Sequence, residues 1–174
     1  MTREEFAKWA MAMRSYYPNQ NLLPTKQATE LWFRQLEDIP YNVAVLSLNR
    51  WVATNKWAPT IADVREATAE CINEPIPDWS EAWQEVMRVI SYYGSWNVEE
   101  GKSKLTGITR ETVNRMGYMR LCSSENITAD RANFRDIYEI LARRKRQERQ
   151  MPARLLEAIG TVRAGMIEEK EGNI

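Results

Sequence analysis

Apolar residues recur at three- and four-residue intervals along nearly the whole chain, and nowhere do they alternate convincingly with period two. A chain patterned this way presents apolar stripes on helices and no sheet face, so the sequence predicts an all-α fold. An apolar fraction of 44% and a charged fraction of 28% over 174 residues are enough for one or two small domains with cores of their own.

Capping residues and prolines divide the pattern into helices. Thr2 and Glu5 have the form of a capping box, followed by Phe6, Trp9, Ala10, Met13 and Tyr17 on one face. After the Pro- and Asn-rich loop PNQNLLP, Thr25 caps a second helix, with Ala28, Leu31, Trp32 and Leu36 expected inward. Pro40 suits the first turn of a third helix, carrying Tyr41, Ala44, Val45, Leu48, Trp51 and Val52. In NKWAPTIADVREA, Pro59 biases Ala58 away from helical dihedrals, and Thr60 with Asp63 starts a fourth helix. Trp57 is expected to fold into that corner, and Lys56, Asp63 and Arg65 to stay exposed beside it. Four helices packing Trp9, Trp32, Trp51 and Trp57 predict a small N-terminal helical domain over 1–74.

The prolines of NEPIPDW cannot sit inside a helix and mark the boundary. Beyond it, Asp78 caps a helix bearing Trp79, Ala82, Trp83, Val86, Met87 and Ile90, which ends at Gly94. Ile108 and Val113 read as a hydrophobic staple around a Thr109 cap, and that short helix ends near Gly117. Thr128 is expected to open a long helix with Phe134, Ile137, Tyr138 and Leu141 on its apolar stripe. These make a second helical module over 75–141. Residues 142–174 then hold a basic segment, an amphipathic helix after Pro152 and the acidic run EEKEG.

The chain contains no histidine, which removes the commonest general base and every Ser–His or Cys–His nucleophilic pair. No GxxxxGK[ST] loop, GxSxG or HExxH occurs. Cys71 and Cys122 form no CxxC pair and read as reduced, mostly buried thiols. The expectation is a non-enzyme with no catalytic residues, no cofactor and no metal. No apolar run reaches spanning length and MTREEFAKW has no signal-peptide core, so a cytoplasmic protein without membrane contact is expected.

Arg143, Arg144, Lys145, Arg146 and Arg149 are the leading candidate surface. Placed on a helix they neutralise several phosphates, contact an acidic protein, or form a solvated extension; all three readings stay open. Leu155, Leu156 and Ile159 either pack back onto the second module or anchor a helix docked in a partner's groove. Trp79, Trp83 and Trp96 have the chemistry to stack bases, but the helical spacing of the first two favours a core role.

The stretch LNRWVATNKWAPTIADVREA, after two short amphipathic helices, resembles the helicase loader/inhibitor proteins of bacteriophages that infect Gram-positive bacteria. The stretches WSEAWQEVMRVISYYG, MGYMRLCSSEN and DRANFRDIYEIL resemble a module that follows this N-terminal domain in phage replication-associated proteins. The resemblance implies an adaptor in the host bacterial cytoplasm that binds the hexameric replicative helicase, inhibits it, and loads it at origin DNA through a phage origin-binding protein. It also implies a flexible C-terminal part that contacts the helicase, here from about Ala142 onward. Two other readings are a DNA-binding replisome organiser using Arg143 to Arg149, and an anti-host factor that sequesters a host protein.

Overall fold

The computed structural model describes residues 1–171, with side chains described through 166. The described residues form ten helices and no strand, so the fold is all-α. Two compact units result: Met1–Glu74 together with the chain from Gln147 on, and Pro75–Arg146.

The first unit opens with α1 (Arg3–Tyr16), α2 (Lys26–Leu36), α3 (Tyr41–Thr54) and α4 (Ile61–Ile72). Their starts follow from local chemistry. Thr2 and Glu5 close a capping box on α1, the Thr25 hydroxyl accepts from the Ala28 N–H, and Thr60 and Asp63 close a second box on α4. Each cap satisfies donors that the first helical turn leaves without partners. Inside, Phe6, Trp9, Met13, Leu36, Leu48 and Val64 are buried. Phe6 packs against Trp9 at 5.9 Å and edge-on against Phe33 at 5.6 Å. The Trp9 indole N–H, buried with its ring, donates to the Ala44 carbonyl at 3.0 Å.

Two expectations change here. On α2 the buried side chains are Phe33 and Leu36, while Leu31 is mostly exposed: the helix is rotated to bring the larger aromatic ring onto Phe6. At the corner Trp57 is 74% exposed instead of filling the angle. Pro59 is buried there, and the Trp57 carbonyl accepts from the Trp51 indole N–H at 2.8 Å. The corner is therefore closed by the Trp57 backbone, leaving its ring outside.

The second unit contains α5 (Trp79–Tyr93), α6 (Val98–Lys104), α7 (Gly107–Met116), α8 (Tyr118–Cys122) and most of α9 (Ile127–Gln150). Asp78 and Glu81 form the capping box of α5, and Gly94 ends it at φ +57°, a backbone region that favours glycine. Trp83 and Phe134 meet at 5.2 Å, with Phe134 stacked on Tyr138 at 5.6 Å. Val86, Leu105, Val113 and Tyr118 complete this core.

Thr109 caps nothing. The chain turns at Gly107, whose φ of +51° lets the helix begin three residues earlier, after Thr106, and Thr109 is buried within α7. Ile108 and Val113 consequently share one helix instead of bracketing its start. Likewise α9 starts at Ile127, because the Asn126 carboxamide oxygen accepts from the Ala129 N–H at 3.0 Å and takes the role expected of Thr128. Helix α9 continues unbroken to Gln150, and α10 (Ala153–Glu171) follows Pro152.

Candidate partner-binding surfaces

The segment from Gln147 is fastened to the first unit by Arg65. This side chain is 9% exposed. It donates from Nη1 and Nη2 to the two Asp38 carboxylate oxygens at 2.8 and 2.9 Å, from Nη1 to the Gln35 carbonyl at 2.6 Å, and from Nε to the Gln150 carbonyl. Burial alone would raise the Asp38 pKa, but the Arg65 hydrogen bond and charge outweigh it and hold the carboxyl below its ordinary value. The backbone N–H of Ala153, the first residue of α10, also lowers the Asp38 pKa, and a negative charge at this helix start complements the helix dipole. Arg149 donates to the Glu74 carbonyl at 2.9 Å, and Arg154 lies 3.5 Å from Glu37.

Arg65 is thus an internal clamp, and the expectation that it is exposed is overturned. Asp63 is also committed: its carboxylate accepts from the Thr60 backbone N–H at 2.8 Å and the Thr60 hydroxyl at 2.7 Å. Of the three residues expected beside the corner, Lys56 is the one fully on the surface.

On α10, Leu155 and Leu156 are 44% and 38% exposed and Ile159 is half-buried. Val162 and Met166 are exposed at 60% and 62% and continue the stripe by helical spacing. The structure therefore leaves an apolar strip on α10 largely open to solvent. The acidic run over 168–172 lies outside the residues whose side chains are described.

Arg143, Arg144, Lys145 and Arg146 are exposed on α9, whereas Arg149 is half-buried by its bond to Glu74. Two cations that lie outside the basic run share one flank of α9 with Arg143 and Arg146. Arg131 and Arg135 hold their guanidinium carbons 5.2 and 5.1 Å from the centre of the Trp79 ring. Their sequence signal is a four-residue repeat, weakened by Asp136 and Glu139 between them and the run. Trp83 is a core residue, Trp79 is half-buried beneath the arginines, and Trp96 is 93% exposed.

Among the described residues no group of three or more His, Cys, Asp or Glu side chains could hold a metal ion, and no helix is long and apolar enough to cross a membrane. Cys71 and Cys122 are free, half-buried thiols.

No curated protein and no solved structure matches the chain. Residues 1–65, which hold α1 to α3 and the first turn of α4, match the family model for the N-terminal domain of the phage SPP1 helicase loader, and to that domain this part of the chain is similar.

Proposed function

We propose that this chain is a phage DNA-replication adaptor that binds the hexameric replicative helicase, holds it inactive and loads it at origin DNA. The observation that carries the reading is the match of residues 1–65 to the N-terminal domain of a phage helicase loader. The open strip on α10 supports it, because Leu155, Leu156 and Ile159 have the spacing with which a helix anchors itself in an apolar groove. Having no phosphate-cradling loop, the chain acts through binding energy alone: it prefers one helicase conformation and shifts the population towards it. Inhibition and delivery are then two consequences of one difference in affinity. A phage origin-binding protein supplies the destination.

The test is co-elution of the full chain with the host's replicative helicase after nuclease treatment, together with the helicase's unwinding rate. The wild-type chain is expected to co-elute and to suppress unwinding until origin DNA and its binding protein are added. Leu155→Asp with Ile159→Asp is expected to weaken association about 100-fold, since two central apolar anchors contribute ~1–2 kcal/mol each. Absence of co-elution would overturn the adaptor reading. Full binding by the double variant would move the contact off α10. Suppression that persists with origin DNA and its binding protein present would make the chain an anti-host sequestering factor instead.

A further inference from the structure

Several arginines of this protein already have an anion. Arg3 and Arg34 share Glu30, Arg50 meets Glu70, Arg65 meets Asp38, Arg115 meets Glu111 and Arg120 meets Asp130. One flank of α9 gathers several arginines without such a partner on a single helix face. Arg131, Arg143 and Arg146 are exposed, and among the described residues none has a carboxylate within ion-pair distance. Arg135 on the same flank is paired with Glu139 at 2.8 Å.

The second unit organises these side chains. The Tyr138 hydroxyl donates to the Pro77 carbonyl at 3.0 Å, which ties the start of α5 to α9 and sets Trp79 against the flank. Trp79 then offers its ring to Arg131 and Arg135. A guanidinium lying over an aromatic ring has its face occupied and meets polar partners through its N–H edge; Arg135 gives its Nε–H to Glu139, whereas Arg131 has no such carboxylate among the described residues and can grip a phosphate with two parallel hydrogen bonds. Two shallow grooves of about 280 Å³ each run along this line, one lined by Trp79, Arg131 and Arg135, the other by Trp79, Arg143 and Arg146. From Arg131 to Arg146 the flank extends roughly 22 Å along the helix, enough for several consecutive phosphates. Asp78, Asp136 and Glu139 also lie on these grooves and keep the field moderate, so binding is expected to be weak and strongly screened by salt.

We infer that the α9 flank of the second unit, through Arg131, Arg135, Arg143 and Arg146, is a sequence-independent binding site for the phosphate backbone of DNA. An acidic protein surface is the competing occupant. The geometry favours phosphate because every cation on the flank is a forked guanidinium, and two of them stand over the Trp79 ring.

The test is fluorescence anisotropy of the full chain with a labelled 20-nucleotide dT strand and with a 20-base-pair duplex, between 50 and 200 mM salt. Four phosphate contacts predict a loss of about 50-fold on the single strand over that range, and of more than ~100-fold on the duplex. The two slopes report which form the flank accepts. Arg131→Gln, Arg143→Gln and Arg146→Gln combined should flatten the single-strand loss to about threefold. Arg88→Gln with Arg110→Gln, two exposed cations of the same unit away from the flank, should leave the slope at its wild-type value. Three results would overturn the inference: no binding of either probe by the wild-type chain at 50 mM salt, a wild-type slope in the triple variant, or an equal loss in the control variant. Displacement of the dT strand by an equal mass of poly-glutamate would assign the flank to an acidic protein partner.

Discussion

Arg65 and Arg146 carry the same functional group in the two units and put it to opposite uses. Arg65 is 9% exposed and gives its donors to one carboxylate and two backbone carbonyls. Arg146 stands in solvent with no carboxylate within reach among the described residues. A buried cation with four of its five donors taken is part of the fold; a cation left open is available to something outside it. Local sequence does not separate the two cases, because the partner decides, and the Asp38 partner of Arg65 is 27 residues away.

The strongest test of this contrast is on stability. Arg65→Met removes a buried donor set and strands Asp38 and two carbonyls, a loss expected to be about 3 kcal/mol. Arg146→Gln should change stability by less than ~0.5 kcal/mol. Denaturant midpoints at constant slope measure both. Equal effects would erase the distinction between a clamping and a free arginine. Acid sharpens it. Asp38 has its pKa depressed in the fold, so its contribution is present above the ordinary aspartate range and is lost as pH falls through the lowered value. The wild-type chain should therefore lose stability on acidification below about pH 4 more steeply than Arg65→Met does, because Asp38 loses its stabilising cation in that variant.

A milder contrast lies in the caps. Thr60 bonds the Asp63 N–H and is bonded in return, whereas Thr106 makes no side-chain cap bond at the start of α7. Thr60→Ala should cost about 1 kcal/mol and Thr106→Ala close to nothing. Comparable midpoint shifts in the two variants would mean that α7 draws on its cap residue in some way other than a hydrogen bond.

The caps also show what the sequence made legible. Thr2, Thr25, Thr60 and Asp78 were readable because a cap and its partner stand within three residues of each other. Helix α6 was not: seven residues with a glycine inside show no apolar period, and it is held by its surroundings. Gly101 is buried on that helix, so close to the Tyr118 hydroxyl that a Cβ would collide with it. The start of α7 was misread because a positive φ at Gly107 is a backbone property that side-chain spacing does not carry. On the candidate surfaces, the basic run and the leucines of α10 were visible as composition and spacing. The Trp79–Arg131–Arg135 arrangement required the fold, because it joins the start of α5 to α9 across roughly fifty residues of sequence. The inward pointing of Arg65 left one faint trace: it sits beside Val64 and one turn before Thr68 and Ala69, on the face that α4 buries.

Trp57 gives a small expected effect on stability and the finest division between architecture and surface. Its carbonyl closes the corner by accepting from Trp51, while its ring is 74% exposed. Replacing Trp57 with Ala keeps the carbonyl and removes only the ring, so the unfolding midpoint should move by less than ~0.5 kcal/mol equivalent. Replacing Trp51 with Phe instead removes the indole donor and should cost about 1 kcal/mol through the lost hydrogen bond. If Trp57→Ala were the more damaging of the two, the ring would be packed in solution and the corner would be closed by the side chain. With the expected order, the Trp57 backbone closes the corner and its ring adds little to the fold.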